Sequence, residues 1–285
     1  MPEPEHELRL PEGAARGGVV PLHPASDGSR RQFLFEHLAD TLAPLGVSVL
    51  SFDRRASPDD SDIPFEVQAE DALAALRTLR AEVGDVPLGL WAWSQGAWAA
   101  SLAAATSPDE VAFLVLLAAS GVSPAEQMRY GTAEQLRRHG FGDEQALREL
   151  AELRAALEGA HRDPGRRGEA QAVIDRYAER PWFDLAYVPR RLGELGEWSD
   201  MDFDPAPTLA RVRCPVLLFY GEEDEWTPIE PSLAAWERTG AAVTVVRLAG
   251  TDHAPTLGGR HDRDAISPEY TAALTDWVEQ RLGSR

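Results

Sequence analysis

One pentapeptide constrains the fold of this chain more than any other segment. Residues 92–96 read Ala-Trp-Ser-Gln-Gly, between an apolar run at 86–93 and an Ala-rich segment at 97–105. The apolar run predicts a buried strand and the Ala-rich segment predicts a helix. Small residues two positions on either side of the serine let strand and helix backbones approach closely. The segment therefore predicts a sharp turn that exposes the Ser94 hydroxyl, and an ordinary turn that contains a serine by chance is the alternative.

Apolar strand segments alternate with helical segments on both sides of this turn. The predicted strands lie at 18–23, 47–52, 86–93, 111–119, 215–220 and 242–248. The predicted helices lie at 31–45, 66–82, 97–105, from 231 onward and at 267–282. Strands that alternate with helices of this length imply right-handed βαβ units. The fold class is therefore α/β, with a mostly parallel sheet covered by helices on both faces.

The alternation is interrupted between residues 122 and 207. A Ser-Pro-Ala-Glu sequence at 123–126 has the form of a capping box with proline at the first helical position. The region that follows has no strand pattern, and its predicted helices lie at 124–139, 144–160 and 168–180. We therefore divide the chain into one α/β core, residues 1–121 and 208–285, and a helical cap inserted at 122–207.

Composition excludes several classes of partner. A formal net charge of −19 and a pI near 4.7 argue against nucleic acid or an anionic membrane, because both need a basic surface. The longest apolar run, 111–119, is too short to cross a bilayer, and residues 1–10 do not read as a secretory signal. The single cysteine, Cys214, excludes an internal disulfide and predicts a reducing cytoplasm. All basic side chains apart from histidine are arginine, which indicates a GC-rich, bacterial source.

A serine hydroxyl becomes a good nucleophile only when a neighbouring base takes its proton and a carboxylate orients that base. In open parallel sheets such groups collect in loops at the carboxyl ends of strands. Two consecutive strands near the C-terminus end in candidate loops, Gly-Glu-Glu-Asp-Glu at 221–225 and Gly-Thr-Asp-His at 250–253. The chain order is therefore serine, acid, histidine, with Ser94 as candidate nucleophile and His253 as candidate base.

These motifs resemble those of the α/β-hydrolase superfamily over nearly the whole chain, and more narrowly its capped serine hydrolases of esterase, peptidase and thioesterase type. The matching segments are the loop at His23, Asp53-Arg54-Arg55, Trp93-Ser94-Gln95-Gly96, Gly221-x-x-Asp224-x-x-x-Pro228 and Gly250-x-x-His253. The resemblance implies a catalytic triad of Ser94, His253 and Asp224. Glu222, Glu223 and Glu225 are the rival acids, and the whole run could instead be a solvated charge cluster.

The resemblance also implies an oxyanion hole. In the family the first loop usually reads His-Gly and the next residue supplies a backbone N–H. Here Pro24 replaces the glycine and has no N–H of its own. The resemblance therefore points to the backbone N–H groups of Ala25 and Gln95, in a loop whose geometry Pro24 alters. Asp53 and Arg54 are expected to brace the loops through an ion pair.

Aromatic side chains supply candidates for a substrate pocket. They are His23, Trp93, Trp182, Phe183, Tyr187 and Trp198. Those in the cap could line the pocket or form a private core of the cap, and the sequence leaves both readings open. A His-Asp-Arg-Asp tract at 261–264 looks like a metal-ligand set, but no second His/Cys cluster accompanies it, so neither a metal nor a cofactor is expected.

The resemblance implies a serine hydrolase that cleaves an ester, thioester or amide of a small-molecule acyl substrate through an acyl-enzyme. Two other classes remain open. The same triad can serve acyl transfer, C–C cleavage or cyclisation in a biosynthetic enzyme, and the scaffold can carry a non-catalytic binding protein. The sequence leaves the substrate and the oligomeric state undetermined.

Overall fold

A seven-stranded sheet forms the centre of the molecule, in the order β1-β3-β2-β4-β5-β6-β7. The computed structural model describes residues 5–56, 62–193 and 198–282. The strands are His6–Arg9 (β1), Gly17–Leu22 (β2), Val47–Phe52 (β3), Leu88–Trp93 (β4), Phe113–Leu117 (β5), Val216–Gly221 (β6) and Val243–Leu248 (β7). β1 is antiparallel to β3, and the other neighbouring strands of this sheet pair in parallel. The α/β class and the mostly parallel sheet are therefore confirmed.

Helices follow most strands and cover both faces of the sheet. They are Phe33–Leu42 (α1), Phe65–Val83 (α2), Gln95–Thr106 (α3), Pro124–Arg138 (α4), Glu144–Arg162 (α5), Arg167–Tyr177 (α6), Ala206–Leu209 (α7), Ile229–Glu237 (α8) and Pro268–Glu279 (α9). Short 3₁₀ helices lie at Ala43–Leu45, Pro164–Arg166, Phe183–Ala186 and Arg263–Ala265. No helix in the described ranges is long and apolar enough to span a bilayer.

The sheet separates two apolar cores, because successive side chains of a strand point to opposite faces. In β4, Leu90 and Ala92 pack with α2 and α3 on one face. Trp91 and Trp93 pack with α1 and α9 on the other. Burial on both faces explains why these strands read as continuous apolar runs rather than as alternating patterns.

Two short elements differ from the sequence expectations. β1 lies in the first ten residues, where no strand was predicted, and it pairs with β3 from His6 opposite Phe52 to Arg9 opposite Val49. α7 is a single turn that the sequence analysis did not identify. Both are too short to show a period, so their backbone pairing and packing decide their structure.

The helical segment between β5 and β6 has its own apolar core. The apolar stripe of α5 packs against α6 and the aromatic stretch that follows, through Leu150, Leu153, Leu157, Ile174 and Trp182, among others. The predicted capping box is formed at the start of α4. The Ser123 hydroxyl accepts the Glu126 N–H at 3.3 Å, and the Glu126 carboxylate accepts the Ser123 N–H at 3.0 Å.

Candidate active site

Ser94 occupies a strained turn between β4 and α3. Its φ of 54° and ψ of −119° lie in a region that residues other than glycine rarely adopt. A Cβ at Gly96 would lie 2.8 Å from the His23 carbonyl oxygen, so only glycine allows the loop after β2 to pack this closely. The Ser94 N–H donates to the Leu117 carbonyl at 2.9 Å, which anchors the turn to β5. The predicted sharp strand–turn–helix is present.

The three residues proposed as a triad lie in one hydrogen-bonded chain. Ser94 Oγ is 2.8 Å from His253 Nε2. His253 Nδ1 is 3.0 Å from Asp224 Oδ1 and 3.1 Å from Oδ2. When Nδ1–H donates to the carboxylate, Nε2 is left to accept the serine hydroxyl proton. The residues come from the loops after β4, β6 and β7, so the carboxyl edge of the sheet brings them together.

Backbone groups of its own loop hold the Asp224 carboxylate. Oδ1 accepts the N–H of Trp226 at 2.7 Å and that of Thr227 at 3.0 Å. Burial acts to raise the pKa of Asp224, but the His253 charge and these hydrogen bonds bring it below its ordinary value. Burial likewise acts to lower the pKa of His253, and the Asp224 carboxylate outweighs it, so that pKa is raised. Asp224 therefore stays ionised and stabilises a protonated His253.

The other acids of the loop lie elsewhere. Glu222 and Glu223 are exposed, and Glu225 is 3.4 Å from Arg138 of α4. Of the four acids at 222–225, all within the described residues, only Asp224 hydrogen bonds the His253 ring. The geometry supports the acid that the resemblance implied.

One guanidinium links the two residues proposed for the oxyanion hole. Arg54 donates to the Pro24 carbonyl at 2.7 Å, to the Ala25 carbonyl at 3.0 Å and to Gln95 Oε1 at 3.2 Å. In a trans peptide the C=O and N–H point in opposite directions, so the Ala25 N–H points away from Arg54. Gln95 is the first residue of α3, where an N–H has no acceptor within the helix.

The ion pair expected at Asp53 has a different partner. The Asp53 carboxylate pairs with the Arg30 side chain and accepts the Arg30 N–H at 2.8 Å. Arg54 instead binds carbonyl oxygens, as described above. The bracing role was correctly expected, but an ion pair between adjacent residues of this loop is wrong, because their side chains diverge.

The two aromatic candidates nearest the Ser94 turn, His23 and Trp93, are buried in the α/β core. His23 is buried between the rings of Phe35 and Phe52, with centroid distances of 5.0 and 5.3 Å. Burial, helped by the Arg54 charge, lowers the pKa of His23 to about 4, so its ring is neutral. Trp93 is also buried, and its indole N–H donates to the His253 carbonyl at 2.8 Å. Trp93 therefore positions the histidine loop.

The four aromatic candidates of the inserted segment separate into two pairs. Trp182 is 3% exposed and Phe183 is 1% exposed, and both belong to the apolar core around α5 and α6. Tyr187 is 57% exposed, with its ring 5.0 Å from that of Trp226 in the acid loop. Trp198 lies 5.6 Å from the ring of His161. The first pair favours the private-core reading, and the second pair lies near the boundary with the α/β core.

The inserted segment packs directly on the acid loop through contacts that the sequence did not indicate. A Cβ at Gly131 in α4 would collide with the indole ring of Trp226. Arg138, near the end of the same helix, donates to the Glu223 carbonyl. The sequence does not indicate these contacts, because glycine within a helix and arginine in the last turn of a helix both occur without any contact to another part of the chain. α4 therefore limits where the Asp224 loop can lie.

The tract at 261–264 is held by ion pairs. Arg260 binds Asp262 at 2.8 Å, and Arg263 reaches Glu36 at 3.4 Å and also binds Asp40. The described part of the chain contains no group of three or more histidine, cysteine or acidic side chains that could hold a metal.

Burial raises the pKa of the Cys214 thiol to about 11, so this cysteine is a poor nucleophile.

Comparison with solved structures shows the same fold in several enzymes. Est1E of Butyrivibrio proteoclasticus with bound ferulic acid matches with a TM-score of 0.62 at 16% sequence identity, and the match covers 97% of this chain and 94% of Est1E. A monoacylglycerol lipase of Paleococcus ferrophilus matches with a TM-score of 0.56 at 20% sequence identity, and the match covers 97% of this chain and 99% of the lipase. A dienelactone hydrolase of Anabaena variabilis matches with a TM-score of 0.55 at 16% sequence identity, and the match covers 97% of this chain and 89% of that hydrolase. At these identities the likeness shows the fold alone.

Sequence comparison agrees with the fold. No curated protein sequence is significantly similar to this chain. A family model described as the alpha/beta hydrolase family matches residues 20–267, which include the Ser94 turn and the two loops that carry Asp224 and His253. The match covers most of the chain, and the protein therefore belongs to the alpha/beta hydrolase family.

Proposed function

We propose that this protein is a serine hydrolase that cleaves a carboxylic ester, thioester or amide of a small molecule. The observation that carries the proposal is the chain of hydrogen bonds from Ser94 Oγ to His253 at 2.8 Å and from His253 to Asp224 at 3.0 Å. Serine nucleophiles need a base within hydrogen-bond reach and a carboxylate that holds the base in one tautomer. Solved structures with the same fold include a cold-adapted esterase and a monoacylglycerol lipase, which is consistent with this reaction class.

Acylation begins when Ser94 Oγ attacks the substrate carbonyl carbon and its proton passes to His253 Nε2. Asp224 stabilises the imidazolium that forms. The carbonyl oxygen becomes an oxyanion, and the N–H groups of Gln95 and Ala25 are its proposed donors. Arg54, which binds both segments, keeps these two donors in a fixed relation.

The tetrahedral intermediate then collapses. The bond to the leaving oxygen, sulfur or nitrogen breaks, and His253 gives its proton to that atom. Water attacks the acyl group on Ser94 and gives a proton to His253. Release of the carboxylic acid returns that proton to Ser94 Oγ, so the enzyme ends in its starting state.

Residues 122–207 are proposed as a cap that covers this site and selects substrates. Two contacts support this assignment, the packing of α4 on Trp226 and the ring of Tyr187 5.0 Å from that of Trp226. A cap that touches the acid loop can exclude water and shape the pocket on substrate binding. The single cysteine leads us to place the enzyme in the cytoplasm, and the use of arginine without lysine leads us to propose a bacterial source.

Labelling with a fluorophosphonate probe tests the nucleophile. The wild-type protein should form one adduct, located at Ser94 by peptide mass spectrometry. Ser94→Ala should abolish both the adduct and ester hydrolysis with little change in melting temperature, because the lost hydroxyl contacts only His253 in the described chain.

Ser26→Ala is the matched control, since Ser26 is an exposed serine in the loop after β2. This variant should keep both labelling and turnover. An adduct that persists in Ser94→Ala would overturn the assignment of the nucleophile. A wild-type protein that forms no adduct with any serine-directed probe would favour a binding protein on this scaffold.

A further inference from the structure

A buried arginine in α5 has two guanidinium nitrogens without a hydrogen-bonding partner among the described residues. Arg154 is 2% exposed, and its Nε and Nη2 atoms are both buried and without a hydrogen-bond acceptor among the described residues. Burial lowers the pKa of this guanidinium, which remains charged at neutral pH. A buried charge that lacks partners is costly, because it loses hydration without compensation. Such a group in a folded protein indicates a ligand that compensates it.

The acids near Arg154 are already engaged by other arginines. Glu158, one turn further along α5, accepts two hydrogen bonds from Arg129 Nε, at 2.9 and 3.2 Å. Arg162 donates to both oxygens of Asp202, at 2.6 and 2.7 Å. Three guanidinium groups therefore share two carboxylates. The surplus positive charge lies on Arg154, in a chain whose net charge is −19.

Arg154 lies on the flank of α5 that faces the α/β core. Residues 154, 158 and 161 follow one another at helical spacing beside the apolar stripe of the cap core. Burial lowers the pKa of His161, the Arg154 charge lowers it further, and the Asp62 carboxylate in the segment after β3 acts in the opposite direction. The ring of His161 also contacts Trp198. Arg162, next to His161, binds Asp202, and the nearby Asp200 accepts the Phe65 N–H at the start of α2 at 2.7 Å, so this end of α5 lies close to the α/β core.

The same region continues to the oxyanion loops. Burial lowers the pKa of Arg54, and the nearby Asp62 carboxylate opposes that effect. Arg54 in turn binds Gln95, the residue after the candidate nucleophile. Asp62 thus acts electrostatically on both His161 of α5 and Arg54, and Arg54 hydrogen bonds the residue next to Ser94.

We propose that Arg154 binds an anionic group, a carboxylate, carried by the substrate. This inference rests on the proposed hydrolase function and narrows its substrate class to esters, thioesters or amides that carry a negative charge away from the scissile bond. A guanidinium matches the two oxygens of a carboxylate and is the side chain best suited to this recognition. The charged group would compensate Arg154 and hold the scissile carbonyl at a fixed distance from it.

Two matched pairs of esters test the proposal on the full-length protein. The first compares 4-nitrophenyl butanoate with 4-nitrophenyl hemiglutarate, which adds a carboxylate to the acyl chain. The second compares methyl 4-acetoxybenzoate with 4-acetoxybenzoate, which adds it to the leaving group. We expect kcat/KM to favour the charged member of at least one pair by about tenfold or more.

Arg154→Met should remove that preference. The variant should lose between about tenfold and about a hundredfold in kcat/KM on the preferred charged ester, the range of one charge-assisted hydrogen-bonding group. Its activity on the neutral partner should change by less than about twofold. Arg154→Lys should recover part of the preference because it restores the charge. The melting temperature of Arg154→Met should equal or exceed that of the wild type. Replacing an unpaired buried charge by an apolar side chain breaks no hydrogen bond to Nε or Nη2 and removes the cost of burying the charge.

Arg148→Met is the matched control on the same helix, where the arginine is exposed and paired with Glu144. It should leave both ester pairs unchanged. Equal activity of wild type on both members of both pairs overturns the proposal, as does an equal loss on charged and neutral esters in Arg154→Met. A marked loss of melting temperature in Arg154→Met also overturns it, since that result assigns the residue to the fold.

A binding measurement separates this inference from the proposed reaction. Ser94→Ala is titrated with glutarate and with 4-hydroxybenzoate, and tryptophan fluorescence is recorded with and without Arg154→Met. Binding that requires Arg154 supports the anion site even if the wild type hydrolyses none of the esters. Hydrolysis of neutral esters without Arg154-dependent binding of either anion rejects the site and leaves the hydrolase function standing.

Discussion

Two polar regions of this molecule, the sheet edge that carries Ser94, His253 and Asp224 and the inner flank of α5, differ in how completely their hydrogen bonds are satisfied. At the sheet edge, Ser94, His253 and Asp224 satisfy one another, and two backbone N–H groups complete the Asp224 carboxylate. On α5, the ion pairs among the described residues leave the Arg154 guanidinium without an acceptor.

The difference separates two kinds of preorganisation. A network that is complete without a ligand keeps its geometry before the substrate arrives, and this suits groups that transfer protons. A network that lacks one partner favours the molecule that supplies it, and this suits recognition. The sheet edge and α5 thus fit chemistry and specificity respectively, and the two regions can be perturbed separately.

Loss of the acid should have the largest effect on rate. Asp224→Asn should lower kcat by roughly 10³ to 10⁴, because an amide can hold the wrong tautomer of His253. Glu222→Gln, Glu223→Gln and Glu225→Gln should each change kcat by less than about tenfold, through the local field alone. Steady-state kinetics of all four variants on one ester gives the comparison. A near-native rate in Asp224→Asn beside a large loss in a neighbour would move the acid to that neighbour.

Removal of a cap-core aromatic should act on stability instead. Trp182→Ala should lower the free energy of unfolding by about 3–5 kcal/mol, as large-to-small changes in cores do, because Trp182 is nearly fully buried in the core around α5 and α6. The order of preference among substrates should stay the same. Tyr187→Ala should show the reverse pattern, since Tyr187 is exposed beside Trp226. Urea denaturation and an ester panel measure both, and a changed preference in Trp182→Ala would contradict the core assignment.

Loss of the brace between the oxyanion loops should have an intermediate effect. Arg54→Met removes hydrogen bonds to Pro24, Ala25 and Gln95, so kcat should fall by about tenfold to about a hundredfold while KM changes little. Arg55→Met is the matched control, because Arg55 binds Asp71 at 2.5 and 2.7 Å rather than either loop. It should retain kcat within about threefold. Equal losses in the two variants would show that Arg54 acts only on the general stability of its loop.

The contact between α4 and the acid loop should have the smallest effect. Gly131→Ala places a methyl group against Trp226, and a small displacement of the Asp224 loop should lower kcat by up to about tenfold. Gly168→Ala is the control, since a Cβ there meets nothing within 4 Å. Adding Trp226→Leu to Gly131→Ala should restore part of the lost rate by making room. An unchanged kcat in Gly131→Ala would mean that the cap and the acid loop move independently.

Much of the fold and the candidate site followed from local patterns. The strands, the helices after them and the strained serine turn were predicted within a few residues, because periodicity and close backbone packing act over short stretches. β1 escaped detection because a strand of four residues, His-Glu-Leu-Arg, is too short to show a usable period. The partner of Asp53 was predicted wrongly because adjacent residues on an irregular segment need not point the same way.

By itself the sequence determined the α/β core, the helical insertion and the chain order of serine, acid and histidine. Only the tertiary structure decided which acid reaches His253, which carbonyls Arg54 binds and that Arg154 lacks a partner. The physical reason is distance along the chain. Ser94 and His253 are 159 positions apart, and His253 and Asp224 are 29 apart. Such partners are chosen by the packing of strands and helices, and no local pattern records that choice.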